Sequence, residues 1–219
     1  MAGGTDDAQL MTRFASGDLA AFETLYSRHK GALYRYFLRQ CGDPEMAAEL
    51  FQEVWVRVIK ARERNEPRAP FTTYMYQIGH NCLVDHYRKA GRSLTDGNGE
   101  PEASEIPDLL AEELDPAFAS ARWSLVDWEQ GPADPAPGPE AANSVAQRAA
   151  RLWSALEALP PEQREAFLLH EEGEMGLAEI ATATGANAET VKSRLRYAVR
   201  KLRAALGDLA PAGSREALS

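Results

Sequence analysis

Residues 177–203 read LAEIATATGANAETVKSRLRYAVRKLR. Leu177, Ile180 and Ala181 recur at helical spacing over a short first stretch, and Val191, Leu195, Ala198 and Leu202 do so over a longer second one. Gly185-Ala186-Asn187 separates the two. A short helix, a glycine-containing turn and a longer helix make the helix-turn-helix pattern, with the apolar positions facing each other. The other positions of the second stretch carry Lys192, Arg194, Arg196, Arg200, Lys201 and Arg203, so Thr190 to Arg203 holds six basic residues and no acidic one. At ~1.5 Å rise per residue this is a positive rod ~20 Å long, the size of a DNA major groove. Thr190, Lys192, Ser193 and Arg194, near its start, would reach base edges, and Arg196 and Arg200 would hold phosphates.

Upstream of this pair, Leu152, Trp153, Leu156 and Leu159 mark a helix over about 146–159. Pro160-Pro161 breaks it, and Pro161 opens a short helix holding Phe167, Leu168 and Leu169. The N-terminal part reads as four helices. Leu10, Met11 and Phe14 form a short first face ended by Ser16-Gly17. Asp18 caps a second helix whose buried positions are Phe22, Leu25, Tyr26, His29, Leu33, Tyr36 and Phe37. Gly42-Asp43-Pro44 stops it and starts a third, with Asp43 as cap and Pro44 at the first helical position. That third helix is expected to bury Ala47, Phe51, Val54, Trp55, Val58 and Ile59. After Pro67 to Pro70 a fourth runs from about Thr72 to Lys89, with Tyr74, Met75, Ile78, Cys82 and Leu83 on one side. No stretch alternates with period two for long enough to form a strand.

The chain has 219 residues, 44% hydrophobic and 26% charged, and a formal net charge of −9. That total argues against a nucleic-acid partner until its distribution is seen. Residues 93–147 hold 12 acidic residues and one basic, whereas 1–92 hold 13 basic and 11 acidic, and 148–219 hold ten of each. Local patches, not the total, decide contact with a phosphate backbone. The acidic third also contains Pro101, Pro107, Pro116, Pro132, Pro135, Pro137 and Pro139, and reads as a flexible linker. Within it, Leu109 to Trp128 carries Trp123 and Trp128, unusual for a solvated segment. The expected organisation is therefore all-α: a helical domain over 1–92, an acidic Pro-rich linker over 93–145, a helix-turn-helix domain over 146–207 and a tail over 208–219. No apolar run approaches the ~20 residues of a membrane span, and the polar start Met1 to Asp7 is no signal peptide. A cytoplasmic location without membrane insertion is expected. Cys41 and Cys82 are far apart and form no CxxC, so neither a disulfide framework nor structural zinc is expected.

At the third and fourth helices the sequence becomes recognisable. Leu50-Phe51-Gln52-Glu53-Val54-Trp55-Val56-Arg57 resembles the core-polymerase-binding segment of region two of bacterial sigma factors. Phe71 to Arg88, with Tyr74, Ile78, Asn81, Asp85 and Arg88, resembles the helix that melts promoters and reads the −10 element. Leu159-Pro160-Pro161-Glu162-Gln163-Arg164-Glu165-Ala166-Phe167 and Leu177 to Arg203 resemble region four, which reads the −35 element. Two such segments in this order resemble the extracytoplasmic-function group of the sigma-70 family. The resemblance implies a non-enzymatic initiation factor that binds bacterial RNA polymerase core, directs it to promoter DNA and promotes melting, with no cofactor, metal or catalytic residue. Carried over by position, Glu49, Leu50, Gln52, Glu53 and Arg57 would meet polymerase. Phe71, Tyr74, Asn81, Asp85, Arg88 and Arg92 would hold the −10 element. Arg164, Thr190, Lys192, Ser193, Arg194, Arg196 and Arg200 would hold the −35 element. The physics agrees, because holding unstacked bases takes aromatic or amide surfaces beside cations. Tyr76, His80, Lys89 and an Arg62–Arg64–Arg68 rim add to that set.

The sequence also departs from the family. Two acidic residues are usual before Leu50, and here Ala48-Glu49 stand there. Phosphorylation at Thr72 or Thr73 by an activating Ser/Thr kinase would restore negative charge; the group's usual regulator is an anti-sigma factor. Tyr74 replaces a usual tryptophan, and Gln77 and His80 replace basic residues, which implies weaker or more selective melting. Two other readings compete. A stand-alone helix-turn-helix regulator would bind palindromic DNA as a dimer, leaving 50–57 and 71–88 without a role. A di-iron bundle would need Glu-x-x-His pairs, and none is present. Finally, the acidic linker is placed to lie across the basic helix and exclude DNA. Deleting residues 96–140 should then raise the free protein's DNA affinity in a low-salt binding titration, and an unchanged affinity would remove the masking role.

Overall fold

The protein is described from a computed structural model, which covers residues 6–61, 70–89, 91 and 150–206. All regular structure there is helical. In chain order the elements are α1 (Asp7–Ala15), α2 (Leu19–Cys41), α3 (Pro44–Ala61) and α4 (Phe71–Lys89). They continue with α5 (150–157), α6 (Pro161–Glu171), α7 (Leu177–Thr184) and α8 (Ala188–Leu206). Arg62, Arg64, Arg68, Arg92, the acidic segment with its tryptophans, and its proposed masking of the basic helix lie outside the described residues.

The helix boundaries follow from local chemistry. Asp18 Oδ1 accepts from the backbone N–H groups of Ala20 and Ala21 at 3.0 and 3.3 Å, capping α2. The cap hydrogen bonds and Arg13 hold its carboxyl below the usual range, the Arg13 hydrogen bond leading. At the far end Gly42 has φ 70°, a left-handed conformation that costs other residues more, and its N–H closes on Leu38 O at 2.8 Å. Asp43 then accepts from Glu45 N at 2.9 Å, so one tripeptide ends α2 and starts α3. Asn187 Oδ1 accepts from Thr190 N at 2.7 Å and caps α8 in the same way, after Gly185 (φ 70°) has ended α7.

α1 to α4 form the N-terminal module. Its centre is Leu25, Leu33, Phe37, Val54, Val58, Met75 and Leu83, all buried. One flank is an aromatic cluster in which Trp55 meets Phe22 and Tyr26 edge-on, at 5.7 and 5.0 Å between centroids. The C-terminal module packs α8 against α6 and α7 through Leu168, Ile180, Val191, Leu195, Ala198 and Leu202. The two modules also touch: α6 lies against α2, and α7 against α4. Among the described residues no helix is long and apolar enough to cross a membrane. Asp43→Ala should lower unfolding free energy by ~1 kcal/mol without changing helical content, as the loss of an N-cap does. Denaturant unfolding followed by circular dichroism checks this.

Candidate nucleic-acid and polymerase interfaces

α3 has a mixed outer face. Glu49, Gln52 and Glu53 are exposed, and Arg57 pairs with Glu53 at 2.6 Å. Leu50, expected to meet a partner, is instead 3% exposed and belongs to the core. The apolar part of the face is supplied by Val56, 46% exposed, and Ile59, 41% exposed. Ile59 was expected in the core. Gln52, Val56 and Ile59 fall at i, i+4 and i+7, one stripe of a helix. The signal in the sequence was one apolar residue too many for the width of the buried face.

α4 continues this surface. Asp85 bridges Arg57 at 3.7 Å and Arg88 at 3.0 Å, so the sites expected for polymerase and for the −10 element share one run of alternating charges. Asn81 and Arg88 are exposed and Tyr74 is half-buried. Phe71 is a correction. At 4% exposure its ring sits 6.4 Å from Trp55 and 5.1 Å from His29, completing the aromatic cluster instead of offering a base platform. Thr72 is half-buried, while Thr73 is buried and donates to Glu179 Oε1 at 3.5 Å. Both thiols are pushed up to about 11 by burial, so neither is an activated nucleophile.

The cations of α8 differ in exposure along the helix. Lys192, Ser193 and Arg196 are half-buried and Arg200 and Lys201 exposed, with the Arg200 guanidinium 4.9 Å from the Tyr197 ring. Thr190 stands at the capped start of the helix. Two expected DNA contacts are engaged within the protein. Arg164 donates to the backbone oxygens of Gln40, Glu157 and Leu159 at 3.0, 2.8 and 3.2 Å, and Arg194 pairs with Glu162 at 3.7 Å.

Two models of the sigma-70 family match the chain, sigma-70 region 2 over residues 25–93 and sigma-70 region 4 over 149–202. The chain belongs to the sigma-70 family, in its extracytoplasmic-function group. It is 29% identical to the ECF RNA polymerase sigma factor SigL of Mycobacterium tuberculosis over 201 residues, covering 89% of this chain and 94% of that one. It is 27% identical to the RNA polymerase sigma factor CarQ of Myxococcus xanthus, covering 91% and 97%. Among solved structures its fold is similar to CnrH in complex with the cytosolic domain of CnrY (TM-score 0.58, 24% identity, 93% of this chain and 99% of that one). It is also similar to the sigma factor RpoE in complex with the anti-sigma factor NepR from Bartonella quintana (TM-score 0.56, 17% identity, 87% and 98%). Region 2 is thus α2 to α4 and region 4 is α5 to α8.

His80, expected beside the base-holding residues, is instead engaged between regions 2 and 4. His80 Nδ1 is 2.7 Å from Glu165 Oε1, which also accepts from Tyr36 Oη at 2.9 Å. Burial lowers the His80 pKa and Arg194 pushes the same way, but the Glu165 hydrogen bond and charge outweigh both and raise it. Glu165 on α6, Tyr36 on α2 and Arg194 on α8 are the groups that face it. A histidine pKa raised on folding stabilises fully below its ordinary value of ~6.5 and loses that contribution as pH rises through the raised value. Stability should therefore decline from pH 6 toward pH 9 more steeply in the natural protein than in His80→Gln. Chemical unfolding across that range measures the difference.

Proposed function

We propose that this sigma factor is a promoter-specificity subunit whose α3 face docks on RNA polymerase core while α4 and α8 hold the −10 and −35 elements. The observation that carries the reading is one chain with both surfaces. Its helix-turn-helix shows six cations and no acid from Thr190 to Arg203, and α3 exposes Val56 and Ile59 beside Gln52 and Glu53. A lone DNA-binding dimer has no use for the second surface. An amphipathic helix face of this kind suits a partner helix. In this reading Asn81, Arg88 and Tyr74 serve the −10 side, and Phe71 acts only by holding α4 in place. Arg92 joins them from the end of the first domain, in a division at 1–92, 93–145, 146–207 and 208–219. Lys192, Ser193, Arg196 and Arg200 serve the −35 side. The chain performs no chemistry of its own and works where polymerase is, in the cytoplasm.

The solved complexes named above pair similar folds with CnrY and with the anti-sigma factor NepR. An inhibitor of that class is the proposed regulator here. A kinase acting on the folded chain would meet Thr72 before Thr73, which lies under Glu179.

The test is a reconstitution of purified chain with core polymerase on native upstream regions, scored for transcripts of defined start. Neither component alone should give them, and their absence with every region tried would overturn the reading. Val56→Asp, at an exposed position, should weaken core binding at least about tenfold, equivalent to ~1.4 kcal/mol, with helicity unchanged. Competition binding to labelled core measures it.

A further inference from the structure

His80 stands on α4 where region 2 meets region 4, with Nδ1 2.7 Å from Glu165 Oε1 of α6. The same oxygen accepts from Tyr36 Oη of α2 at 2.9 Å. Glu165 is 3% exposed and Tyr36 is fully buried, so the carboxylate answers to these partners and not to bulk water. α8 brings Arg194, whose positive charge works against a proton on the ring. The other helices packed on α4 place their charges elsewhere. α7 meets it at Glu179 and Thr73, and α3 meets it at Arg57 and Asp85. On α1, Asp7 is held by Arg28 and His29 of α2.

A second link between the modules behaves differently. Glu172, just past the end of α6, pairs with Arg39 and accepts from Arg35 Nε at 2.8 Å. Guanidinium groups keep their charge at every pH a cell meets, so the cationic side of this link is constant. His80 is the variable. Protonated, it gives Glu165 a buried ion pair. Neutral, it leaves that carboxylate with hydrogen bonds but without the imidazolium charge, and burial penalises such a carboxylate.

We propose that the His80–Glu165 pair makes this chain's access to DNA pH-sensitive: mildly acid conditions hold region 4 on region 2, and a rise through neutral pH releases it to bind duplex. The sign follows from where the proton is held more tightly. In the joined arrangement the Glu165 hydrogen bond and charge outweigh burial and Arg194, so the ring keeps its proton above its ordinary range. Once the modules part, the ring loses Glu165 and returns to its ordinary value of ~6.5. The joined form is therefore favoured fully below ~6.5 and loses that advantage as pH climbs through the raised value. This parting is not unfolding, because each module has its own buried apolar centre. The inference rests on the reading of α8 as the −35 helix.

The test follows the full-length protein and His80→Gln from about pH 6 to about pH 8.5, an interval spanning the ordinary histidine value, at fixed ionic strength. Small-angle scattering reads the separation of the modules, and titration with duplex from the native upstream regions reads DNA access. His29, His86 and His170 titrate in both proteins, so the effect is the difference between their pH profiles. With rising pH the natural chain should gain radius of gyration at equal helicity. Its duplex affinity should rise about threefold or more relative to His80→Gln, whose amide can hydrogen-bond but carries no charge. Should His80→Gln lose helicity, Glu165→Gln takes its place, since it removes the other half of the pair and should flatten the profile equally. Parallel profiles for natural chain and variant overturn the switch, and so does a relative affinity that falls with pH. Expansion with pH but no relative gain in affinity overturns its role in DNA access. A natural chain that shows the switch but gives no transcripts with core keeps this inference and loses the promoter reading. Transcripts from a chain whose profile parallels the variant's do the reverse.

Discussion

A carboxylate withdrawn from water must meet a cation or several donors, because its desolvation otherwise costs more than packing returns. Glu165 and Glu172 are so withdrawn, and their partners Tyr36, His80, Arg35 and Arg39 all lie on region 2. That requirement sets how region 4 sits. Hydrophobic faces define each module separately, but apolar contact is non-directional and tolerates sliding. Glu165 on α6 and Glu172 just past its end admit one register against α2, and α7 packs along α4.

Within each module the division of labour is different. Caps decide where helices begin and end, as Asp18, Asp43 and Asn187 show. Apolar spacing decides which side is hidden. What remains outside is the surface proposed to meet polymerase and DNA: the Val56–Ile59 stripe, the Glu53–Arg57–Asp85–Arg88 run, and the Arg200–Lys201 end of α8. The run of charges links α3 to α4 on the surface, so a partner that displaces Arg57 also changes what Asp85 and Arg88 can hold.

Much of this was legible in the residues. Gly42-Asp43-Pro44 announced the corner between α2 and α3, and Pro160-Pro161 announced α6. The helix-turn-helix could be read from the alternation of buried and basic positions alone. Leu50, Phe71 and Ile59 were misplaced for one reason. Helical spacing gives a face but not its width, and each of these residues sits near an edge where a neighbouring helix decides the outcome. Trp55 and His29 enclose Phe71, whereas Ile59 is left 41% exposed.

Sequence by itself determined the two helical modules, their order, the basic helix α8 and the kinship with sigma factors, because caps, turns and apolar period are local properties of the chain. Only the tertiary structure decided that the modules meet, that Arg164 and Arg194 face inward, and that a histidine and two arginines of region 2 receive carboxylates from residues 85 to 137 positions away. Such pairings carry no local signature. An acidic residue on a helix looks the same in sequence whether it faces water or a buried guanidinium.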